Sequence, residues 1–332
     1  MPDWFASRTF AAADFDLEVL SKAKRGSGAT VSVVLPARDE AETIAGVLGA
    51  VTPLMGQLVD ELVVVDGGSQ DATAEIAAAA GARVVAAAQL SPELGPCLGK
   101  GDALWRSLGT TSGDLVAWLD TDIRNPTPAF VTGLLGPLLT EPAIGYVKGF
   151  YERPLLLGDV LHPVGGGRVT ELTARPLLNL FWPQLAGLVQ PLSGEYAGRR
   201  EVLEAVPFFT GYGVELGLLV DLLEQLGPEG IAQVDLEVRV HRNQSLEALS
   251  RMAYGIQQVA ARRLRDSGRL TGQPVGGAPY MQFVRDSAGV QPAAVEVSLV
   301  ERPPFAHYEP VEADKPGQGR PQTRFCSDSA AR

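Results

Sequence analysis

The chain has 332 residues, 45% hydrophobic and 20% charged, enough to bury a sizeable core as one elaborated α/β domain or as two unequal lobes. Its 28 Lys and Arg face 39 Asp and Glu, a net charge of -11, and an acidic surface repels a phosphate backbone, so nucleic acid is not an expected partner. Cys97 and Cys326 have no paired spacing that would suggest a disulfide framework or a zinc site, and a reducing cytoplasm is the expected home. No basic start leads into an apolar leader, and the richest apolar run, 177–192, is broken by Pro183 short of the ~20 residues a bilayer requires, so no membrane partner is expected.

In chain order, residues 1–29 read as an N-terminal arm: a docked stretch or short helix around Phe10, Phe15 and Leu20, then a linker over 22–28. From Thr30 short β-branched runs alternate with Ala/Leu-rich stretches of helical length, which predicts βαβ units and a mainly parallel sheet flanked by helices. Strands are expected at 31–35, 61–65, 83–86 and 115–119, with helices near 40–51, 72–80 and 102–108. Their continuous apolar character suits strands covered on both faces. Beyond Asp120 come a Pro-rich turn and helix, a strand near 144–150, a Gly-rich loop at 165–167 and a helix from Thr170. A helix near 214–226, a strand near 231–240 and a helix near 246–264 follow. Residues 30–125 and 126–270 read as two halves of the same domain. The rest, 271–332, reads as a Pro- and Gly-rich extension, partly disordered.

Ligands of open α/β sheets sit beyond the carboxyl ends of the strands, so the residues that follow each strand are the first candidates. After the first strand come Pro36-Ala37-Arg38-Asp39-Glu40, where a dinucleotide-binding fold or a nucleotidyltransferase would carry a Gly-rich phosphate loop. An acidic helix start is the plainer use of Asp39 and Glu40. After the second come Asp66-Gly67-Gly68-Ser69-Gln70-Asp71, a carboxylate on a tight turn with glycines that let a ligand reach the backbone; Asp71 reads as an N-cap. The fourth ends in Asp120-Thr121-Asp122, and a strand period of two aims both carboxylates the same way, which suits a hard divalent cation bridging a diphosphate. Two adjacent carboxylates are costly to bury unless something positive lies between them.

Lys100, before a helix, can meet a phosphate with its ammonium and the helix N-terminal amides together, although the spacing is not that of a Walker A loop. Gly165-Gly166-Gly167-Arg168-Val169-Thr170 joins a free backbone to a guanidinium and a hydroxyl, a nest for a phosphate or carboxylate. Late in the chain, Arg239-Val240-His241-Arg242-Asn243 places a histidine between arginines that would keep it neutral and able to ligate a metal, although a packed or solvent-facing residue is the plainer use of a lone histidine. Tyr212-Gly213-Val214-Glu215 opens a helix whose carboxylate can hold sugar hydroxyls.

Together these segments resemble the GT-A glycosyltransferases, a Rossmann-like fold for nucleotide-diphospho-sugar transfer, and at closer range the glucosyl-3-phosphoglycerate synthases of actinobacteria. The likeness covers about 30–270 and returns at 297–304, and it implies a nucleotide-sugar-binding half over 30–125 and an acceptor-binding half over 126–270. Its specific carriers are residues 33–37, 99–108, 165–172, 190–196 and 211–215, with Ala232-Gln233-Val234 leading to His241-Arg242-Asn243. The resemblance implies transfer of glucose from UDP-glucose to 3-phosphoglycerate with retention of configuration, assisted by Mg2+ or Mn2+. It implies that Pro36, Ala37, Arg38, Asp39, Glu40, Gly67, Lys100, Asp120, Thr121, Arg239 and Arg242 hold the nucleotide sugar, whose sugar pocket is lined by Tyr212, Gly213, Val214 and Glu215. Asp122 and His241 would hold the metal, and Gly167, Arg168, Val169, Thr170 and Asn243 the acceptor. Asp122 and Glu215 are then the catalytic candidates, Glu215 as a positioning group rather than a nucleophile.

Three positions depart from the family's mycobacterial members, Arg38-Asp39 for Leu-Asn and Gly67 for Ser, and leave the donor open between UDP-glucose and the GDP-mannose of related mannosyl-3-phosphoglycerate synthases. Two readings outside the class, a sugar-1-phosphate nucleotidyltransferase and a non-catalytic sugar-nucleotide binding module, stand beside it. The first needs a Gly-rich basic loop that 36–40 does not offer, and the second has no use for Arg168, Thr170 and Asn243. A homodimer is the default assembly.

Overall fold

The apolar runs resolve into one eight-stranded sheet: β1 (Thr9–Ala11), β2 (Val31–Ala37), β3 (Glu61–Asp66), β4 (Arg83–Ala86), β5 (Leu115–Trp118), β6 (Tyr146–Glu152), β7 (Tyr196–Arg199) and β8 (Ile231–Val238). The computed structural model describes residues 2–152, 155–157, 160–162, 167–240, 244–272, 279–286 and 289–310, and their side chains except those of 2, 155–157, 160–162, 284–286, 289 and 290. Strand order is β1-β8-β6-β7-β5-β2-β3-β4. All neighbours are parallel except β7, which runs antiparallel to both β5 and β6.

Two apolar layers explain why these strands carry few polar residues. On β2, Val33 and Leu35 enter one layer and Val34 the other, the period of two that a strand imposes. One layer holds Trp105, Trp118, Tyr146, Tyr196 and Phe208 beneath the helices Lys100–Leu108, Val214–Leu226 and Leu246–Asp266. The other packs Leu48, Leu134 and Leu135 of the helices Ile44–Val51 and Ala129–Thr140 on the opposite face. Each fully buried large side chain contributes about 1.5–3 kcal/mol relative to remaining in water.

The ends of the chain differ from the expectation. Residues 22–28 are not a linker but the close of the helix Leu17–Ser27; Asp16 caps its start, accepting from the backbone N of Glu18 at 2.8 Å, and Gly28 ends it at φ 73°. The arm itself supplies β1, which pairs with β8 as the sheet's edge. Within the expected C-terminal extension, Tyr280–Asp286 and Gly289–Val295 form a hairpin, and Glu301–Arg302 pairs with Phe208–Phe209. Residues 311–332 lie outside the described residues. No helix among the described residues is long and apolar enough to cross a membrane.

Candidate active site

The carboxyl ends of β2, β3, β5 and β8 border a cleft of about 400 Å³. Because β7 is reversed, the segment that precedes it, with Leu192 and Gly194, arrives at the same end. Pro36, Ala37, Arg38 and Glu40 after β2 and Gly67 after β3 line one side, and the Thr121 hydroxyl donates to the Pro36 carbonyl at 3.0 Å. Asp39 does not line the cleft. It sits at φ 57°, with its carboxylate accepting from the Gln70 N–H at 2.7 Å and its own N–H donating to Ser69 Oγ at 3.0 Å. Its chemistry is spent on holding the loops after β2 and β3 together. Asp71 does the same, accepting from the N–H groups of Thr73 at 3.0 Å and Ala41 at 3.1 Å.

At the floor the charges interlock. Lys100, first residue of its helix, reaches Asp120 at 2.6 Å and Glu215 at 3.1 Å. Arg239, just past β8, donates through one terminal nitrogen to Asp120 at 3.1 Å and to Asp122, and through the other to Glu195 at 2.9 Å and the Tyr151 hydroxyl at 2.6 Å. Burial pushes the Asp120 carboxyl up, but Lys100 and Arg239 outweigh it and hold the group well below the usual carboxylate range. For Lys100 burial acts downward, and Asp120 with Glu215 more than reverse it, so the ammonium is held charged beyond the ordinary lysine range. Burial raises the Glu195 carboxyl, with Arg239 opposing.

This linked set has four carboxylates, Asp120, Asp122, Glu195 and Glu215, against two cations, Lys100 and Arg239. The excess of negative charge suits a divalent cation. Asp122 is the member free to take one: its side chain is 31% exposed and is held among the described residues through Oδ1 alone. His241, expected as the second ligand, lies outside the described residues, as do Arg242, Asn243, Gly165 and Gly166; the described residues by themselves gather no group of three potential metal ligands.

Gly167, Arg168, Val169 and Thr170 line the same cleft. Gly167 has φ 74°, a conformation that suits glycine, and Arg168 donates to the Gln244 carbonyl at 3.1 Å. Leu249, Met252 and Ile256 of the helix Leu246–Asp266 supply an apolar side. Tyr212 and Glu215 line the cleft, whereas Gly213 and Val214 do not. Val214 is core, and Gly213 is a packing seat: a Cβ there would meet Val259 Cγ2 at 2.3 Å.

Three participants escaped the reading of the residues. Glu195 and Tyr151 hold the inner side of Arg239, and Gly194 makes room for Asp120, since a Cβ at 194 would lie 1.9 Å from Asp120 Oδ2. The block 190–196 marked the region, but nothing local tells which of its residues faces which carboxylate or guanidinium.

Residues 32–155 match the family model "Glycosyl transferase family 2". Over 92% of the chain and 98% of the relative, the sequence is 48% identical to the glucosyl-3-phosphoglycerate synthase of Mycolicibacterium smegmatis; the Petrotoga mobilis enzyme of that name is 44% identical over 92% and 95%. The solved mannosyl-3-phosphoglycerate synthase of Rubrobacter xylanophilus superposes with a TM-score of 0.84 at 43% identity, covering 91% of this chain and 96% of that one. The Mycobacterium tuberculosis glucosyl-3-phosphoglycerate synthase, solved with Mn2+, UDP-glucose and phosphoglyceric acid, gives 0.77 at 46%, covering 88% and 95%. With a GT-A sheet, a carboxylate cluster at its carboxyl edge and near half identity along almost the full length, the chain belongs to the glucosyl-3-phosphoglycerate synthase family of glycosyltransferases.

Proposed function

We propose that the chain transfers glucose from UDP-glucose to 3-phosphoglycerate with retention of configuration, aided by Mg2+ or Mn2+. The observation that carries this reading is a single cleft lined both by cation-seeking carboxylates, Asp120, Asp122 and Glu215 around Lys100, and by the anion-seeking Arg168 and Thr170.

In this reading the loops after β2 and β3 hold the nucleotide, and Asp122, with His241 as partner, holds the metal. When bound, that ion supplies positive charge where the departing diphosphate gathers negative charge. Lys100 adds a fixed ammonium at the same place, already oriented by Asp120 and Glu215, so little reorganisation accompanies bond breaking. Arg168 and the Gly167–Thr170 backbone hold the phosphate and carboxylate of the acceptor. Glu215 is bound to Lys100 and serves to position the sugar and the ammonium. The acceptor hydroxyl attacks from the leaving group's own face and passes its proton to a diphosphate oxygen. Holding both substrates together contributes about 7–11 kcal/mol.

The Rubrobacter neighbour is named for mannose, which keeps GDP-mannose as the second donor. Six relatives named for glucose, at 44–49% identity over 86–92% of the chain, favour UDP-glucose. A donor panel with 3-phosphoglycerate, with and without EDTA and followed by nucleotide release, tests the reading. Release is expected to require acceptor and metal and to be fastest with UDP-glucose. Equal release without acceptor, or full activity in chelator, contradicts it.

The acceptor wall has its own test. Arg168→Ala is expected to raise the 3-phosphoglycerate KM about 10- to 100-fold, the weight of one charge-assisted hydrogen bond at about 1.5–3 kcal/mol. The UDP-glucose KM stays within twofold; a parallel rise in both would move Arg168 out of the acceptor's half.

A further inference from the structure

The block 297–304 contributes no residue to the cleft, yet it is bonded to three of the elements that build it. Arg302 meets the fully buried Asp102 through two nitrogens, at 2.8 and 3.1 Å, and Asp102 lies two residues after Lys100 in the first turn of its helix. The same carboxylate accepts from the Leu98 N–H at 2.9 Å, which fixes the turn ahead of Lys100, and from Arg106 at 3.2 Å. One residue further on, the Trp105 indole N–H donates to the Pro303 carbonyl at 2.8 Å.

The second element is the segment that leads into Glu215. Thr210 takes the Val300 carbonyl with its N–H at 3.0 Å and its hydroxyl at 3.1 Å, and returns its own carbonyl to the Asp102 N–H at 3.1 Å. Contact there is tight enough that a Cβ on Gly101 would lie 1.9 Å from the Phe209 carbonyl oxygen. The third is the helix Leu246–Asp266, whose Arg263 binds Glu301 and, at 2.6 Å, Asp221.

We propose that Glu301–Arg302 is a clasp for the transferase site and that Arg302 is a positioning residue which, through Asp102, sets the place of the Lys100 ammonium. The inference rests on the transferase reading above, in which Lys100 stands beside the departing diphosphate. Removing Arg302 leaves Asp102 with only Arg106 as a charged partner among the described residues, and the turn 98–102 loses the anchor that aims Lys100 at Asp120 and Glu215.

A double-mutant cycle tests it, since a residue acting through Lys100 has nothing left to act on once Lys100 is gone. Arg302→Met, Lys100→Met and the pair are compared by calorimetric titration of UDP with Mn2+ present, by kcat, and by the 3-phosphoglycerate KM. Arg302→Met is expected to weaken UDP binding and lower kcat at least tenfold, with the acceptor KM within threefold because Arg302, among the described residues, makes no bond to the Gly167–Thr170 segment. In the Lys100→Met background the same change is expected to cost less than threefold. Arg302→Lys, which keeps one charged bond to Asp102, recovers part of the loss and carries the cycle if the Met variant does not fold. Equal losses in both backgrounds, or an Arg302 variant within twofold of the parent, overturn the clasp. A parent chain that binds no UDP with Mn2+ and transfers no sugar overturns the transferase reading instead.

Discussion

Lys100→Met is expected to lower kcat about 10²- to 10³-fold, the loss typical of removing one pre-oriented charge donor from a developing anion. Compactness is the reason no neighbour substitutes. Arg239, the other cation of the floor, already serves Asp120, Asp122 and Glu195 and is walled in by Tyr151, so its guanidinium cannot turn towards the diphosphate without abandoning them. The ammonium of Lys100 has three donors, two directed at Asp120 and Glu215, with a third for a ligand. Because those carboxylates hold it charged above the ordinary lysine range, the parent enzyme should show no alkaline loss of kcat from Lys100 up to about pH 10, the ordinary lysine value. Lys100→Arg keeps the charge but not the point geometry and should fall between the two. Steady-state kinetics on the three proteins settle the matter: a Met variant within threefold of the parent removes Lys100 from the chemistry.

The second large effect is on stability and comes from a lysine outside the reaction. Lys148 in β6 is 1% exposed, its Nζ lies 4.0 Å from the centre of the Tyr196 ring, and it has no hydrogen-bond partner among the described residues. Burial pushes the amine from 10.5 down to about 7; Glu215, Glu195 and Asp120 favour its charge and Lys100 opposes it. A folded value below the unfolded one means that the unfolded chain binds the proton more tightly, so stability rises with pH between about 7 and 10.5. The cost is fully present below pH 7, where it amounts to a few kcal/mol, and it is gone above pH 10.5. Lys148→Met, close in volume and without the charge, should therefore be more stable than the parent by ~2–5 kcal/mol at pH 6, with the gap closing towards pH 10. Urea unfolding at pH 6, 8 and 10 measures it. A gap that does not change with pH, or a less stable variant at pH 6, shows that the amine is not buried as described.

How much of this could be read in the residues alone depended on how local the cause was. β2, β3 and β5 were legible because strands covered on both faces are uninterrupted apolar runs, and the residues that end them, Pro36 to Arg38, Gly67 and Asp120 to Asp122, do reach the cleft. β7 was not, since Tyr196–Arg199 is four residues long with a glycine inside it, and its existence depends on an opening between β5 and β6. The hairpin of 280–295 was hidden by its Pro and Gly content. The site divides along the same line. Asp120 and Asp122 announce themselves by spacing, whereas the guanidinium that binds both comes from 119 and 117 residues away, and Glu195 meets it from 44. Asp39 misled for a local reason: a positive φ turns its carboxylate towards Gln70 and away from the cleft.

The reversed strand also bears on how the molecule is made. β5 and β6 touch only through β7, so during synthesis the first half of the sheet waits with an unpaired edge until residue 199 has left the ribosome. A free edge of apolar strand is a template for association with other chains. Fragments that stop before Tyr196 would carry that edge permanently, which makes the N-terminal half a poor candidate for expression by itself.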